Sequence, residues 1–218
     1  MSTVAPSTKG RSRRSMRVVI EVVLLVILLV AMALGTKVVK IGSGSDATSK
    51  EFEPAAYGKK QFPKTQAAIE KRAVDAATLA AAIAKDQDAA GKQYGIAGGG
   101  VGPEMSVKFT GVAGKEDSGV YEVKVPGLPD SLLIRVQTGP AINGTDLRDA
   151  TGDISFGQFT NQIDYQNAGY AINTEMKQEV LSKVDTTKLT GKTVSVVGVF
   201  QLINPDGWLV TPVKLDVK

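Results

Sequence analysis

The chain of 218 residues contains neither cysteine nor histidine. Without cysteine it can form no disulfide and offers no thiolate nucleophile. Without histidine the usual zinc ligand sets are incomplete, and there is no imidazole to act as a general base. No other catalytic constellation, metal motif or cofactor motif stands out, so we predict a protein that is not an enzyme and holds no cofactor.

Aromatic residues are also scarce, at 6% of the chain, whereas 43% of the residues are hydrophobic. The core is therefore predicted to consist mainly of Val, Ile, Leu and Ala. An excess of charge on the folded part is missing as well. The net charge of +4 comes from the first 36 residues, and residues 37–218 carry 21 basic and 21 acidic side chains. A nucleic-acid-binding domain would carry a basic excess, so we expect no nucleic-acid partner.

One long apolar run, Val18 to Leu34, follows a basic segment at 1–17 and contains a single charge, Glu21. A helix of this length is near the lower limit for crossing a bilayer. The positive-inside rule puts residues 1–17 in the cytoplasm and the body outside the cell membrane, which predicts a single-pass anchor. The alternative is a signal peptide cleaved after Ala33, because Ala31-Met32-Ala33 resembles a cleavage site.

Residues 35–53 are predicted to be a linker, in which 37–41 could form a short strand. From residue 54 apolar residues recur at helical spacing, and we interpret 54–95 as a small helical subdomain. One apolar stripe is predicted along a helix by Phe62, Ile69, Ala73, Ala76, Ala80 and Ile83. A second helix is predicted from Asp86 to Tyr94, with Gly95 as its stop.

Residues 105–218 change to the two-residue period of strands. Five strands are predicted, at 105–112, 119–125, 131–137, 193–202 and 208–217, with a helix from 161 to 184 between the third and the fourth. The fold class is therefore α+β, with an OB-like five-stranded β-barrel whose helix closes one end; an open α+β sheet is the alternative. Gly198 predicts a bulge, 204–207 a turn, and Pro212 an edge or bulge position.

Five segments, spread over about residues 37–218, carry a family resemblance: GPAINGTDLRDATGDISFGQFTNQIDYQNAGYAIN, LTGKTVSVVGVF, LVTPVKLDV, KVVKI and DAATLAAAIAKDQDAAGKQYG. They resemble the domain of unknown function 2291 family of predicted periplasmic lipoproteins. The resemblance implies an extracytoplasmic protein with a helical part and an OB-like part, associated with sugar-type ABC import systems. The chain departs from a lipoprotein at Leu34-Gly35-Thr36, where the acylated cysteine would stand.

The stretch 138–170 is the densest in turn residues, charges, amides and aromatics. Arg148 and Asp149 could form a bidentate ion pair, or Arg148 could bind a carboxylate or phosphate. In the structural alternative Asp146 tightens the Asn143-Gly144 turn and Arg148 ties the loop to the barrel.

The other candidate ligand-binding residues of this stretch are Thr160, Asn161, Gln162 and Tyr165. Amides and hydroxyls beside aromatic rings are typical of a sugar-binding surface. The alternative is that Thr160 or Asn161 caps a helix while the aromatic rings are buried.

The favoured hypothesis is a membrane-anchored extracytoplasmic interaction module that is accessory to solute uptake by ABC transporter components. The second hypothesis is a receptor that binds a small molecule or oligosaccharide directly. The third is an acid-dependent hydrolase, which requires two carboxylates held about 5–10 Å apart.

Overall fold

The structure is a computed structural model that describes residues 13–35, 52–98 and 101–218. The chain divides into two compact units, Met1–Glu51 and Phe52–Lys218. The described part of the first unit is a single helix, α1 (Arg13–Gly35). Within the described ranges no helix is long and apolar enough to cross a bilayer, so the anchor predicted over Val18 to Leu34 is not supported. The strand predicted at 37–41 and most of the predicted linker lie outside the described residues.

The second unit is a mixed α+β structure. Its helices are α2 (Pro54–Arg72), α3 (Ala76–Lys85), α4 (Gln87–Tyr94), α5 (Asp146–Asp149) and α6 (Gln162–Glu179), with 3-10 turns at Phe156–Gln158 and Leu181–Lys183. Its strands are β1 (Val74–Asp75), β2 (Gly95–Ile96), β3 (Glu104–Asp117), β4 (Val120–Lys124), β5 (Leu133–Gln137), β6 (Thr193–Gln201) and β7 (Gly207–Val217).

The five longer strands pair in a closed cycle. In order around the cycle they are β3, β4, β5, β7 and β6, and β6 returns to pair with β3 along nine residue pairs. Around this cycle all pairings are antiparallel except that between β5 and β7, which is parallel. The predicted order of three strands, a helix and two strands is confirmed. The core inside the cycle includes Phe200 stacked on Trp208, with ring centroids 4.5 Å apart.

The bulge predicted at Gly198 is confirmed. The β6–β7 register shifts between Val197 and Gly198, where Gly198 lies opposite Pro212. A Cβ added at Gly198 would lie 2.6 Å from the carbonyl oxygen of Thr211, so only glycine allows the two strands to approach this closely. Pro212, which has no N–H, therefore sits where the regular ladder is interrupted.

The helices at 54–95 differ from the single apolar stripe that the sequence predicts. α2 ends at Arg72, and two residues of β1 then pair with β3 before α3 begins. Asp75 caps α3, because its Oδ1 accepts a hydrogen bond of 2.9 Å from the N–H of Ala77. The prediction of one continuous helix through Ile83 was wrong. The helix predicted to stop at Gly95 is confirmed as α4.

Two smaller predictions also need correction. The strand predicted to end at residue 112 runs on as β3 to Asp117, and the chain reverses at Ser118 and Gly119, which have φ of 54° and 81°. The helix predicted to reach Val184 ends at Glu179 and is followed by a 3-10 turn.

Helices α2 and α6 pack closely against each other beside the sheet. A Cβ added at Gly58 of α2 would lie 2.5 Å from the carbonyl oxygen of Ala171 in α6. Phe62 and Ile69 of α2 are fully buried in the same core as the strands. The helices at 54–95 therefore share one hydrophobic core with the sheet, and α2 helps to fix the position of α6.

Candidate functional site

Arg148 and Asp149 form a buried bidentate ion pair on the short helix α5. The Nε of Arg148 donates to Oδ1 of Asp149 at 2.8 Å, and Nη2 donates to Oδ2 at 3.0 Å. The two residues are only 6% and 5% exposed. Thr145 adds a third hydrogen bond to this carboxylate, from Oγ1 to Oδ2 at 2.8 Å. The carboxylate therefore occupies the Nε and Nη2 side of the guanidinium, where an external anion would otherwise bind.

Tyr165 of α6 covers the other face of this ion pair. The guanidinium carbon of Arg148 lies 3.7 Å from the centre of the Tyr165 ring, which is a cation–π contact. Nη1 of Arg148 also donates to the carbonyl oxygen of Tyr165 at 3.3 Å. Arg148 thus connects the loop that carries α5 to the first turn of α6, whereas the structural alternative in the sequence had Arg148 tie this loop to the barrel.

An aromatic cluster surrounds Tyr165. Its ring lies 5.4 Å from that of Phe159, which in turn contacts Phe52 and Tyr57 from the start of α2 at 5.6 and 5.7 Å. Phe156 packs edge-on against Tyr165 at 5.9 Å but remains 50% exposed. Burial raises the pKa of Tyr57 and of Tyr165, although the nearby Arg148 opposes this. These rings fasten the start of α6 to α2.

The amide and hydroxyl candidates lie at the N-terminus of α6. Asn161 is its N-cap, and its Oδ1 accepts a 2.9 Å hydrogen bond from the N–H of Asp164. Thr160 and Gln162 are exposed on either side of it. The structure therefore brings Arg148 and Asp149 together in the interior beneath the partly buried Tyr165, and leaves the polar candidates at the surface. That any of these residues binds a ligand stays a prediction.

The cap gives a first testable expectation. Asn161→Ala should lower the free energy of unfolding by about 1 kcal/mol, because it leaves an N–H of the first turn of α6 without its acceptor. Gln162→Ala, one residue along and equally exposed, is the matched control and should change stability by less than about 0.5 kcal/mol. Urea denaturation followed by circular dichroism measures both. Equal effects of the two variants would contradict the assigned cap.

Asp146 lies in a polar chain that fastens the α5 loop to the sheet. Its Oδ2 accepts from Oγ1 of Thr211 at 3.2 Å, and Thr211 accepts from Nε2 of Gln137 at 2.8 Å. Gln137 also exchanges two hydrogen bonds with the main chain of Asn143. Burial raises the pKa of Asp146 to about 6. This chain holds the Asn143-Gly144 turn against β5 and β7.

Glu104, at the start of β3, is a buried carboxylate beside the candidate site that the sequence analysis missed. It is 2% exposed, and its Oε1 accepts a 3.1 Å hydrogen bond from Gln201, while Oε2 has no hydrogen-bond partner among the described residues. Burial, reinforced by repulsion from Asp146 and Asp149, raises the pKa of Glu104 to about 8. A glutamate at the start of a strand is ordinarily expected to be exposed, so the sequence alone does not indicate that Glu104 is buried.

A metal site and an acid-dependent hydrolase each require a particular arrangement of carboxylates, which can be compared with the described part of the chain. No group of three or more acidic residues there is placed to hold a metal ion. Glu104 and Asp149 are both closed off from solvent. A hydrolase would need its two acids to converge on an open cleft that admits substrate and water. The arrangement is suited to holding loops in place.

Comparisons with known proteins agree with this architecture. The family model described as "Predicted periplasmic lipoprotein (DUF2291)" matches residues 24–216. A crystal structure of an OB-fold protein from Thermotoga maritima is similar, with a TM-score of 0.62 and 19% identity. The similarity covers 78% of this chain and all of that one, and at this identity it shows the fold alone. No curated protein matches the chain.

Proposed function

Because the chain belongs to the domain of unknown function 2291 family of predicted periplasmic lipoproteins, we propose that its body works outside the cytoplasm as a non-enzymatic interaction module. The chain has no cysteine to carry a lipid. Its association with the membrane is therefore assigned to the N-terminal apolar segment or to its partner. An accessory role in solute import of the sugar type is the specific form of this proposal.

The observation that carries the proposal is the outer side of α6. Ile163 and Tyr170 are 67% and 72% exposed, although both are large hydrophobic residues. They are seven residues apart on one helix face, with the exposed Gln166 between them. We call Ile163, Gln166 and Tyr170 the α6 ridge.

The chemistry of the α6 ridge favours a folded protein as its partner. The ridge carries no formal charge, so it offers nothing to attract anionic lipid or nucleic acid. It lies on a convex helix, whereas small ligands are usually bound in concave sites. Two apolar anchors with an amide between them, on a helix that is held rigidly by α2 and Arg148, suit a flat protein surface.

The test uses a charged double variant, Ile163→Glu with Tyr170→Glu, and the purified components of a sugar-type ABC importer. We expect the native chain to bind one component and the variant to bind at least about tenfold more weakly. The variant should keep its melting temperature, because both side chains are exposed. Ile203→Glu, which changes an isoleucine that is 60% exposed in the β6–β7 turn, is the matched control.

The receptor hypothesis predicts a different result. A sugar that binds the native state would raise the melting temperature of the chain. A thermal shift with monosaccharides or oligosaccharides, together with no binding to any importer component, would contradict the interaction module and favour the receptor.

A further inference from the structure

The second half of β7 has a sheet partner on one side only. β5 pairs with β7 from Gly207 to Val210 and no further, whereas β6 pairs with β7 as far as Val217. Within residues 52–98 and 101–218, no strand pairs with the other side of 213–217. This part of β7 is an open edge in a sheet that is otherwise closed on itself.

The phase of the β6–β7 ladder shows which main-chain groups face that edge. In an antiparallel pair, alternate residues point their N–H and C=O towards the partner strand and away from it. The N–H of Lys218 donates to the carbonyl oxygen of Thr193 at 2.9 Å, so Asp216 also faces β6. Leu215 and Val217 therefore direct their main-chain groups away from β6.

An existing contact on this edge supports the same phase. Nε2 of Gln66 in α2 donates a 2.7 Å hydrogen bond to the carbonyl oxygen of Val213. Val213 precedes Leu215 by two residues, so its carbonyl belongs to the outward-facing set. One side-chain amide thus already occupies the position that the main chain of a neighbouring strand would take.

A groove of about 580 Å³ runs beside this edge. Its walls are α2, at Gln66 and Glu70, and the end of α6 with the segment after it, at Glu179, Lys183 and Val184. The volume is in the range of ordinary binding sites. The five residues from Val213 to Val217 span about 13 Å, because a strand rises about 3.3 Å per residue.

We propose that this groove receives an extended segment of a partner protein, which adds a strand beside Val213–Val217 of β7. Main-chain donors and acceptors at strand spacing are matched by another main chain, whereas a sugar or a lipid lacks that repeat. The site is separate from the α6 ridge and does not depend on it.

The charges of the groove define the segment further. Lys183 pairs with Glu179 at 3.3 Å, and Lys214 pairs with Asp216 at 3.8 Å. Glu70 forms no ion pair with any residue that the structure describes, and neither does Lys192, which also lines the groove. The segment is therefore expected to place a lysine or arginine opposite Glu70 and an acidic residue near Lys192.

The experiment begins with a phage library of random twelve-residue peptides selected on the full chain. We expect enrichment of peptides that alternate β-branched and polar residues and carry a basic residue. The strongest of these peptides is then added to the protein during amide hydrogen exchange. It should slow exchange about tenfold or more at Leu215 and Val217, while Asp216, already bonded to β6, changes little.

Two variants give an independent test. Glu70→Lys should lower the affinity for the selected peptide at least about tenfold. Glu122 is an exposed glutamate on β4, and Glu122→Lys should leave this affinity unchanged. Val217→Pro removes an outward N–H and should weaken binding similarly, with the fold checked by circular dichroism. Failure to enrich any peptide would overturn the proposal. So would a peptide that binds Glu70→Lys normally and leaves exchange at Leu215 and Val217 unchanged.

Discussion

Asp149→Ala is expected to lower the free energy of unfolding by about 3–5 kcal/mol, because it leaves the guanidinium of Arg148 buried without its carboxylate. Both hydrogen bonds of the bidentate pair and the one from Thr145 are lost together. The positive charge then remains under the ring of Tyr165, where water has little access. The measurement is urea denaturation of the two proteins at pH 7.

Two controls separate the buried charge from other effects of the substitution. Asp153→Ala removes an exposed carboxylate from the same loop and should change stability by less than about 0.5 kcal/mol. The double variant Arg148→Met with Asp149→Leu removes both charges and should be clearly more stable than Asp149→Ala alone. A loss below about 1 kcal/mol for Asp149→Ala would mean that Arg148 does not depend on Asp149, and would reopen the case for an external anion.

Glu104→Gln is expected to remove most of the pH dependence of stability between pH 4.5 and 8. The pKa of Glu104 is about 8 in the folded protein, against an ordinary value of 4.5. The folded state therefore holds a proton that the unfolded state has lost, so the free energy of unfolding falls as the pH rises through this window. The stabilisation is fully present below pH 4.5 and is lost by about pH 8.

Burial is the main cause of the raised pKa of Glu104, and the groups that face it reinforce the direction. Asp146, Asp149 and Arg148 lie on the α5 side, and Gln201 donates from β6. The first two repel a charged Glu104, whereas Arg148 is already engaged by Asp149. Glutamine keeps the acceptor for Gln201 and never ionises.

At pH 8 the variant should be about 2–4 kcal/mol more stable than the native protein, since one pKa unit corresponds to about 1.4 kcal/mol. At pH 4.5 the variant and the native protein should have the same free energy of unfolding. Asp146, whose pKa is raised to about 6, makes the free energy of unfolding of both proteins fall by the same smaller amount as the pH rises. Glu122→Gln, on the exposed side of β4, is the control. Parallel stability curves for Glu104→Gln and the native chain would show that Glu104 ionises freely.

The strands were predictable because each carries its own alternation and the turns carry glycine and proline. The bulge could be predicted because Gly198 and Pro212 are themselves local signals of an irregular strand. The break between α2 and α3 was missed because alanine continues a helical pattern without a signal. The pairing of Val74 with Val107 interrupts the helical pattern after α2, and the cap from Asp75 then begins α3; the pairing is a contact between distant parts of the chain.

In the candidate site, too, the contacts between neighbouring residues could be predicted and those between distant residues could not. Arg148 and Asp149 are neighbours, so their ion pair could be predicted, and Asn161 stands where a helix cap is expected. Glu104 could not be identified, because its burial depends on β6 and on a loop more than forty residues away. The link from Gln137 through Thr211 to Asp146 likewise joins three separate elements.

The central claim is that the exported chain docks a protein through the outer side of α6. Incorporating a photo-crosslinking phenylalanine analogue at Tyr170 in living cells, with Leu133 as an exposed control position, tests it most directly. The claim predicts one adduct from Tyr170, identified by mass spectrometry as an extracytoplasmic importer component, and none from Leu133. No adduct from Tyr170, or an adduct to a cytosolic protein, would contradict it.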